Sequence, residues 1–457
     1  MSTLDIHSPT QSLARYPAYK DSGVEWIGEM PEHWEVRKLK YLGYLFSGLS
    51  NKKGEDFSKE YLPNTKEFIP FTTICNFSQI KEEIFQYVKI SKYERQNLVE
   101  KNDILFLMSS ETDEDIARCA VYLLDKKVHL NSFCKGFRLT SGETHPVFIN
   151  YLLSSNTYRK YFRASGRGFT RVNIKQEYIN DAIVTLPPLS EQSAIAEFLD
   201  KKCEQIDRLI RIKEQQIERL QELRQAKIHQ AVTKGLNPNV PLKDSGIEWI
   251  GEIPVHWEVK RLASFGRFSK GGGFSKADLV DEKGVAAILY GDIYTKYNYI
   301  INESVRLISN ESASNAIVLE YDDLLFTGSG ETKEDIGKCV VFKSNTKTVA
   351  GGDVIIFKQV SNSSCFLAYC LNTEGVKFEK AKSSKGEIIV HTYASKLKEI
   401  SVPIPPLSEQ EAIVAYLDEA TNKIDQTINH YRNQIEKLKE YKQSLINAAV
   451  TGKIKVA

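Results

Sequence analysis

The sequence predicts an α+β protein. It has two mixed α/β globular domains separated by two long antiparallel coiled-coil helices, in a pseudo-two-fold circular internal repeat. Three observations lead there. The chain repeats itself at a spacing near 220 residues. Each repeat ends in a long stretch without Gly or Pro. Ahead of that stretch lie short apolar, β-leaning runs punctuated by Gly, Ser and Asn.

The repeat opens on KDSGVEWIGEMPEHWEVRKL (20–39) and KDSGIEWIGEIPVHWEVKRL (243–262), identical at 15 of 20 positions. VEKNDILFLMSSETDEDIARCAVY (99–122) and LEYDDLLFTGSGETKEDIGKCVVF (319–342) share 12 of 24. PPLSEQSAIAEFL (187–199) and PPLSEQEAIVAYL (405–417) share 9 of 13. Between these blocks the copies diverge: residues 44–98 and 267–318 share little beyond hydrophobic texture. The expected organisation is a disordered tail (1–14), a globular domain (15–189), a helix (190–235), a second domain (236–407) and a second helix (408–457).

Strands are expected in runs such as Asp103–Met108, Ala182–Leu186, Asp323–Phe326 and Asp353–Phe357. The Pro-Pro pairs stop any strand from continuing. Ser190 and Ser408 read as N-caps, with Glu191 and Glu409 well placed for the helix dipole. Ile195, Leu199, Ile206, Ile210, Ile217 and Leu220 form the interface stripe of the first helix, with Cys203 among them. Ile413, Leu417, Ile424, Ile428, Ile435 and Leu438 form that of the second. About 40 residues at 1.5 Å each predict a rod of roughly 60 Å. Nine basic and eight acidic residues in 190–235, and seven of each in 408–457, exclude a basic DNA-binding helix. The first helix runs on into the second domain, and the second stops where a third would begin. A circular arrangement answers both ends: the C-terminus returns near the N-terminus.

Composition is that of an ordinary soluble chain, with no apolar run near the ~18 residues of a membrane helix. Residues 1–14 lack the features of a signal peptide. Lys plus Arg number 61 against 59 Asp plus Glu, so no chain-wide basic footprint exists. The seven scattered cysteines contain no Cys-x-x-Cys; they read as reduced thiols of a cytoplasmic protein.

No phosphate loop, G-x-G-x-x-G after a strand, H-E-x-x-H or G-x-S-x-G occurs. Gly271–Gly273 reads as a turn. Asp323 with Glu331, Thr332 and Lys333 imitates a metal-dependent nuclease pattern. Copy one has Asp103, Glu111, Thr112 and Asp113, so the lysine is replaced by an acid. A structural role for Glu111, Thr112, Glu331 and Thr332 in a strand-end turn is the better reading, with a ligand-facing polar loop as the alternative. His33-Trp34 and His256-Trp257 suggest base-stacking pairs, but their near-invariant setting reads more strongly as a core or domain-anchoring element.

Charge is local instead. Tyr158 to Gln176 carries Arg159, Lys160, Arg163, Arg167, Arg171 and Lys175 with no acid, and Phe162, Gly166, Gly168 and Phe169 lie between them. Such a run neutralises phosphates, and its arginines suit guanine. In copy two Lys377, Lys380, Lys382 and Lys385 stand against Glu379 and Glu387. Ser109, Ser110 and Ser329, in the polar segments after the strands, complete the candidate DNA contacts.

Two motifs, each present twice in the right order over residues 16–457, carry a resemblance. One is [YL]-K-D-S-G-[VI]-E-W-I-G-E-x-P-x-H-W-E-V; the other is P-P-L-x-E-Q-x-x-I-[AV]-x-[FY]-L-D. The chain resembles the specificity (S) subunit of type I restriction–modification enzymes. The resemblance implies that each domain is a target recognition domain reading one half of a split, asymmetric site in double-stranded DNA. The helices would space the two domains and dock two modification (methyltransferase) subunits, which bind S-adenosylmethionine and methylate adenine at N6. Restriction (endonuclease/translocase) subunits using ATP and Mg²⁺ would join the assembly. The chain itself would be non-catalytic and bind no cofactor. The resemblance does not mark base-reading residues.

Overall fold

The structure, a computed structural model, describes residues 14–386 and 389–456. The expected tail thus lies outside the described residues except for Ala14, and so does Glu387. The chain divides into two compact units. One comprises the chain up to Lys213 with Arg432 onward; the other is Glu214–Tyr431. Each unit therefore owns part of both long helices, rather than the helices forming separate bodies. No helix among the described residues is long and apolar enough to cross a membrane.

The first unit is built on a five-stranded sheet. Its order is Gly43–Ser47, Cys134–Leu139, Ile104–Leu107, Cys119–Tyr122, Gln79–Ile80, and only the last pair is parallel. Ile104–Leu107 and Cys119–Tyr122 are buried at every position, as continuous apolar runs require. A four-stranded sheet runs His129–Leu130, Thr65–Ile69, Gln86–Lys89, Phe57–Ser58. The second unit repeats the first sheet strand for strand: Arg267–Lys270, Val354–Lys358, Leu324–Thr327, Cys339–Phe342, Ile300–Ile301. Its other sheet has five strands rather than four, adding Ile317–Val318 beside Thr348–Ala350.

The long helices span Leu189–Lys234 and Leu407–Val450. They begin one residue earlier than expected, which corrects the reading of Ser190 and Ser408 as caps. Pro188 and Pro406 take that place: their carbonyls accept from Glu191 and Gln192, and from Glu409 and Gln410. Proline suits a position whose N–H has no helical partner.

In each unit one long helix departs and the other arrives, antiparallel. In the first unit Lys213 bonds Gln434 while Lys442 reaches Asp207 at 2.7 Å, so positions rise on one helix as they fall on the other. Arg224–Asp425 and Lys227–Tyr416 show the same in the second unit. The arriving helices end alike. Gly235 and Gly452 both take φ of +72, and a Cβ on either would press on Trp257 or on Pro31 and Trp34. Such a left-handed terminus favours glycine. The final segment is tied to the N-terminal unit by Lys455 N–H to Ala14 O (2.7 Å) and Tyr19 hydroxyl to Gly452 O (3.0 Å). The circular reading of the repeat is thus met inside each unit.

Of the helix stripe, Ile195, Leu199, Cys203, Ile206, Ile210, Ile413, Leu417, Ile424, Ile428 and Ile435 are buried, while Ile217, Leu220 and Leu438 are half-buried. Ile413 and Leu417 are not purely helix–helix residues. They share one core with Phe366, Leu367 and Cys370 of the globular part and with Ile228 and Val232 of the arriving helix.

Candidate nucleic-acid interface

The two repeated motifs meet. Trp34, with 0% exposure, donates its indole N–H to Glu191 at 3.1 Å, and His33 Nε2 lies 2.8 Å from the same carboxylate. Trp257 and His256 repeat this on Glu409 at 3.0 and 2.7 Å. Gln192 accepts from His145 N–H and donates to Glu143 O and Pro187 O. Gln410 accepts from Ser363 N–H and donates to Pro405 O. The Glu-Gln of the helix start therefore locks the domain to its helix, and the His-Trp pairs are anchors, not stacking platforms. A further tie repeats farther along: Tyr151 and Tyr369 donate to Asp200 and Asp418, each at 2.7 Å.

Four of the nuclease-like residues make structural bonds. Asp103 accepts two bonds from the Arg138 guanidinium (2.9 and 2.7 Å) and one from Glu100 N–H. Asp323 caps Glu320 N–H, with Lys358 3.7 Å away. Thr112 and Thr332 donate to Asp115 and Asp335.

Beyond these anchors the two units share a hairpin. In the first, Arg167 and Asn173 exchange backbone bonds of 3.0 and 2.8 Å, and Val172–Asn173 pairs with Ser109–Ser110. In the second, Lys385 and His391 exchange bonds of 3.0 and 2.7 Å, and Val390–His391 pairs with Ser329–Gly330. The basic run of copy one feeds this hairpin from the helix Asn156–Ser165. That helix is strongly amphipathic: Tyr158 and Phe162 go to the core, and Lys160 and Arg163 face solvent.

Individual candidates fare unequally. Lys160, Arg163, Arg167 and Lys175 are exposed in the first unit, and Lys382 and Lys385 in the second. Arg163 pairs with Asp113 at 2.9 Å; the partnership raises the arginine pKa and lowers that of the acid. The run without acids thus meets acids from the loop 111–115, which the sequence window missed. Arg167 donates to Ala164 O and Gly166 O, both at 2.7 Å. Lys377 pairs with Glu374. Arg171 lies 4.5 Å from the ring centre of Phe133, half-buried.

Four candidates need correction. Arg159 turns inward and donates to Glu114 O at 2.7 Å; burial lowers its pKa. Lys380 is 1% exposed and donates to Gly337 O (2.6 Å) and Leu371 O (2.8 Å). With no carboxylate against it among the described residues, burial pushes its ammonium down to about 8. Ser110 is buried and accepts from Thr112 N–H, whereas Ser109 stays partly open. Ser329 is buried 2.9 Å from His391 Nδ1.

Residues that no sequence window collects lie beside the run. Phe71 and Phe133 meet edge to face at 6.2 Å, both partly exposed. Lys135 reaches Gln176 at 3.1 Å. In the second unit a groove of about 750 Å³ opens among Lys270, Phe274, Lys276, Tyr290, Arg306 and Thr332. Arg306 and Lys270 face Asp292 and Asp353 there, and Glu331 and Asp335 join the lining, so the groove is charge-balanced rather than basic.

Two near-identical frames presenting unlike cationic and aromatic surfaces define a class: an internally duplicated reader of nucleic-acid sequence. Comparison with known proteins names it more closely. A family model described as "Type I restriction modification DNA specificity domain" matches residues 31–222 and 254–437. The chain belongs to that family and recognises DNA sequence as a type I restriction–modification specificity subunit. It is 26% identical over 449 residues to the putative type I restriction enzyme MjaX specificity subunit of Methanocaldococcus jannaschii, covering 94% of this chain and 96% of that one. It is 23% identical to the EcoKI specificity subunit of Escherichia coli K12, covering 93% and 90%. A chain solved in work on complex assembly and conformational transition of the type I R-M system shares its fold. The TM-score is 0.68 at 15% identity, over 92% of this chain and 98% of that one.

Proposed function

We propose that each globular unit reads one half of a bipartite, asymmetric site in double-stranded DNA. The long helices set the spacing between half-sites and dock two modification subunits that methylate adenine at N6. Those subunits carry S-adenosylmethionine. Restriction subunits with ATP and Mg²⁺ join the same assembly, and this chain supplies recognition rather than catalysis.

One observation carries the reading. The hairpins 167–173 and 385–391 are held by the same pair of backbone bonds, yet the sequence has Phe169 in one copy and Glu387 at the matching position of the other. A constant scaffold with exchanged side chains is what two different half-sites require. Phosphate contacts from Lys160, Arg163, Lys175, Lys382 and Lys385 would fix position, while the hairpins and grooves meet base edges.

The test is to mix the chain with a modification subunit and S-adenosylmethionine, and to sequence the methylated positions in a DNA library. A split motif with two unlike halves is expected. Methylation without sequence preference, or failure to join the modification subunit, overturns the reading.

A further inference from the structure

We propose that Phe169 is a wedge that enters the base stack of one half-site, so that the two halves of the DNA site are read by different physical means. The inference rests on the DNA-recognition reading above and deepens it. The Phe169 ring is wholly exposed. It sits on a hairpin that the protein fixes firmly: Arg167 and Asn173 close it with two backbone bonds, and the Arg167 side chain donates to Ala164 O and Gly166 O.

Gly168 takes φ of +135, and a Cβ there would lie 2.0 Å from Arg171 O, so only glycine allows this turn. A tight, pinned turn that presents a bare aromatic ring gains nothing for folding. An exposed large apolar side chain on a fixed support marks a contact.

What it contacts follows from its surroundings. Lys160 and Lys175 are exposed along the same run, which contains no carboxylate from Tyr158 to Gln176. Arg171 is stacked over Phe133, which meets Phe71 edge to face. An aromatic ring among cations matches a polyanion whose interior is made of flat π-faces. Phe is among the side chains that prise base steps apart. The matching hairpin of the second unit keeps its glycine, with φ of +116 at Gly386, but carries Glu387 where the first has Phe169. A carboxylate cannot enter a base stack, so this hairpin position can act as a wedge in one half-site only.

The test uses the full chain with its modification subunit on the site found by methylation mapping. The fluorescent base 2-aminopurine replaces each purine in turn, except the methylated adenines, which a methyltransferase itself takes out of the stack. Wild type is expected to brighten it at one step, in one half-site only. Phe169→Ala should abolish the brightening and weaken binding about tenfold, while the same sequence is still preferred. Phe169→Trp should restore both. Unchanged brightening in Phe169→Ala, or equal brightening in both half-sites, overturns the wedge. Loss of modification-subunit binding in Phe169→Ala also overturns it and assigns the ring to a protein interface. If wild type shows no sequence preference at all, the functional reading itself falls.

Discussion

Trp34 and Glu191, 157 positions apart, are joined by an indole N–H to carboxylate bond of 3.1 Å that ties the globular part to the helix leaving it. The same carboxylate receives His33 and the Tyr16 hydroxyl. One side chain thus serves three partners, two of them, His33 and Trp34, from the repeat's leading motif. This explains why the two motifs recur together: each supplies what the other leaves unsatisfied.

Glu191→Ala is therefore expected to destabilise the N-terminal unit by about 1–3 kcal/mol, the cost of a buried donor without an acceptor. Glu409→Ala should do the same to the second unit, where Trp257 is also 0% exposed. Hydrogen exchange read unit by unit checks this. Each variant should lose protection in its own unit first, and Glu191→Gln should lose less because an acceptor oxygen remains.

Lys380 gives the second unit a pH dependence of defined sign. Its ammonium is buried against two carbonyls and titrates at about 8 in the folded chain, below its ordinary value of 10.5. Between those values the unfolded chain binds more protons than the folded one, so stability rises with pH across that window. The contribution is complete above about 10.5, where both states are neutral, and is lost as pH falls through about 8. Lys338 is also held down at about 8 by burial and adds in the same direction. Urea midpoints at pH 7.5 and 9.5 should therefore differ more in wild type than in Lys380→Met. Wild type is expected to gain on the order of 2 kcal/mol over the variant on this change.

Lys380 also shows where sequence alone stops. Counted as a charge, it joined the phosphate-binding candidates. Yet Phe162, a core residue, occupies its aligned position in the first copy. A lysine that can reach two carbonyls replaces a ring, and only the fold reveals those acceptors. The frame was legible because motifs that bond to each other recur as intact strings, as Trp34–Glu191 and Trp257–Glu409 do. The candidate surface was not. Phe71, Phe133 and Arg171 come from three separate segments, and Asp113 reaches Arg163 from 50 positions away.

That last pair makes a sharper test of the basic run than alanine scanning alone. Changing Arg163, Arg167 and Arg171 together to Ala should weaken DNA binding and flatten its salt dependence by about 1 in slope, at roughly 0.9 per phosphate lost. The shortfall from three reflects Arg171, which is committed to Phe133, and Arg167, which holds two carbonyls. Asp113→Asn should do the reverse: it frees Arg163 and removes a repelling charge, so binding strengthens and the slope steepens. Fluorescence titrations at several salt concentrations decide. An unchanged slope in the triple variant removes these arginines from the phosphate contacts.

Spacing is the property that the helices should control. Glu222 lies within Leu189–Lys234, on an exposed position of that helix. Four inserted residues add about 6 Å of rise and turn the stripe by only about 40°, because an α-helix completes a turn in 3.6 residues. The buried face can therefore re-engage one turn along. The hairpins and grooves proposed to meet DNA are untouched. Methylation mapping of the insertion variant should show both half-sites unchanged and the gap between them longer by about one or two base pairs, since the duplex rises 3.4 Å per pair. Altered half-sites would mean that the helix ends help shape the reading surfaces. An unchanged gap would mean that the second helix, Leu407–Val450, alone fixes the spacing.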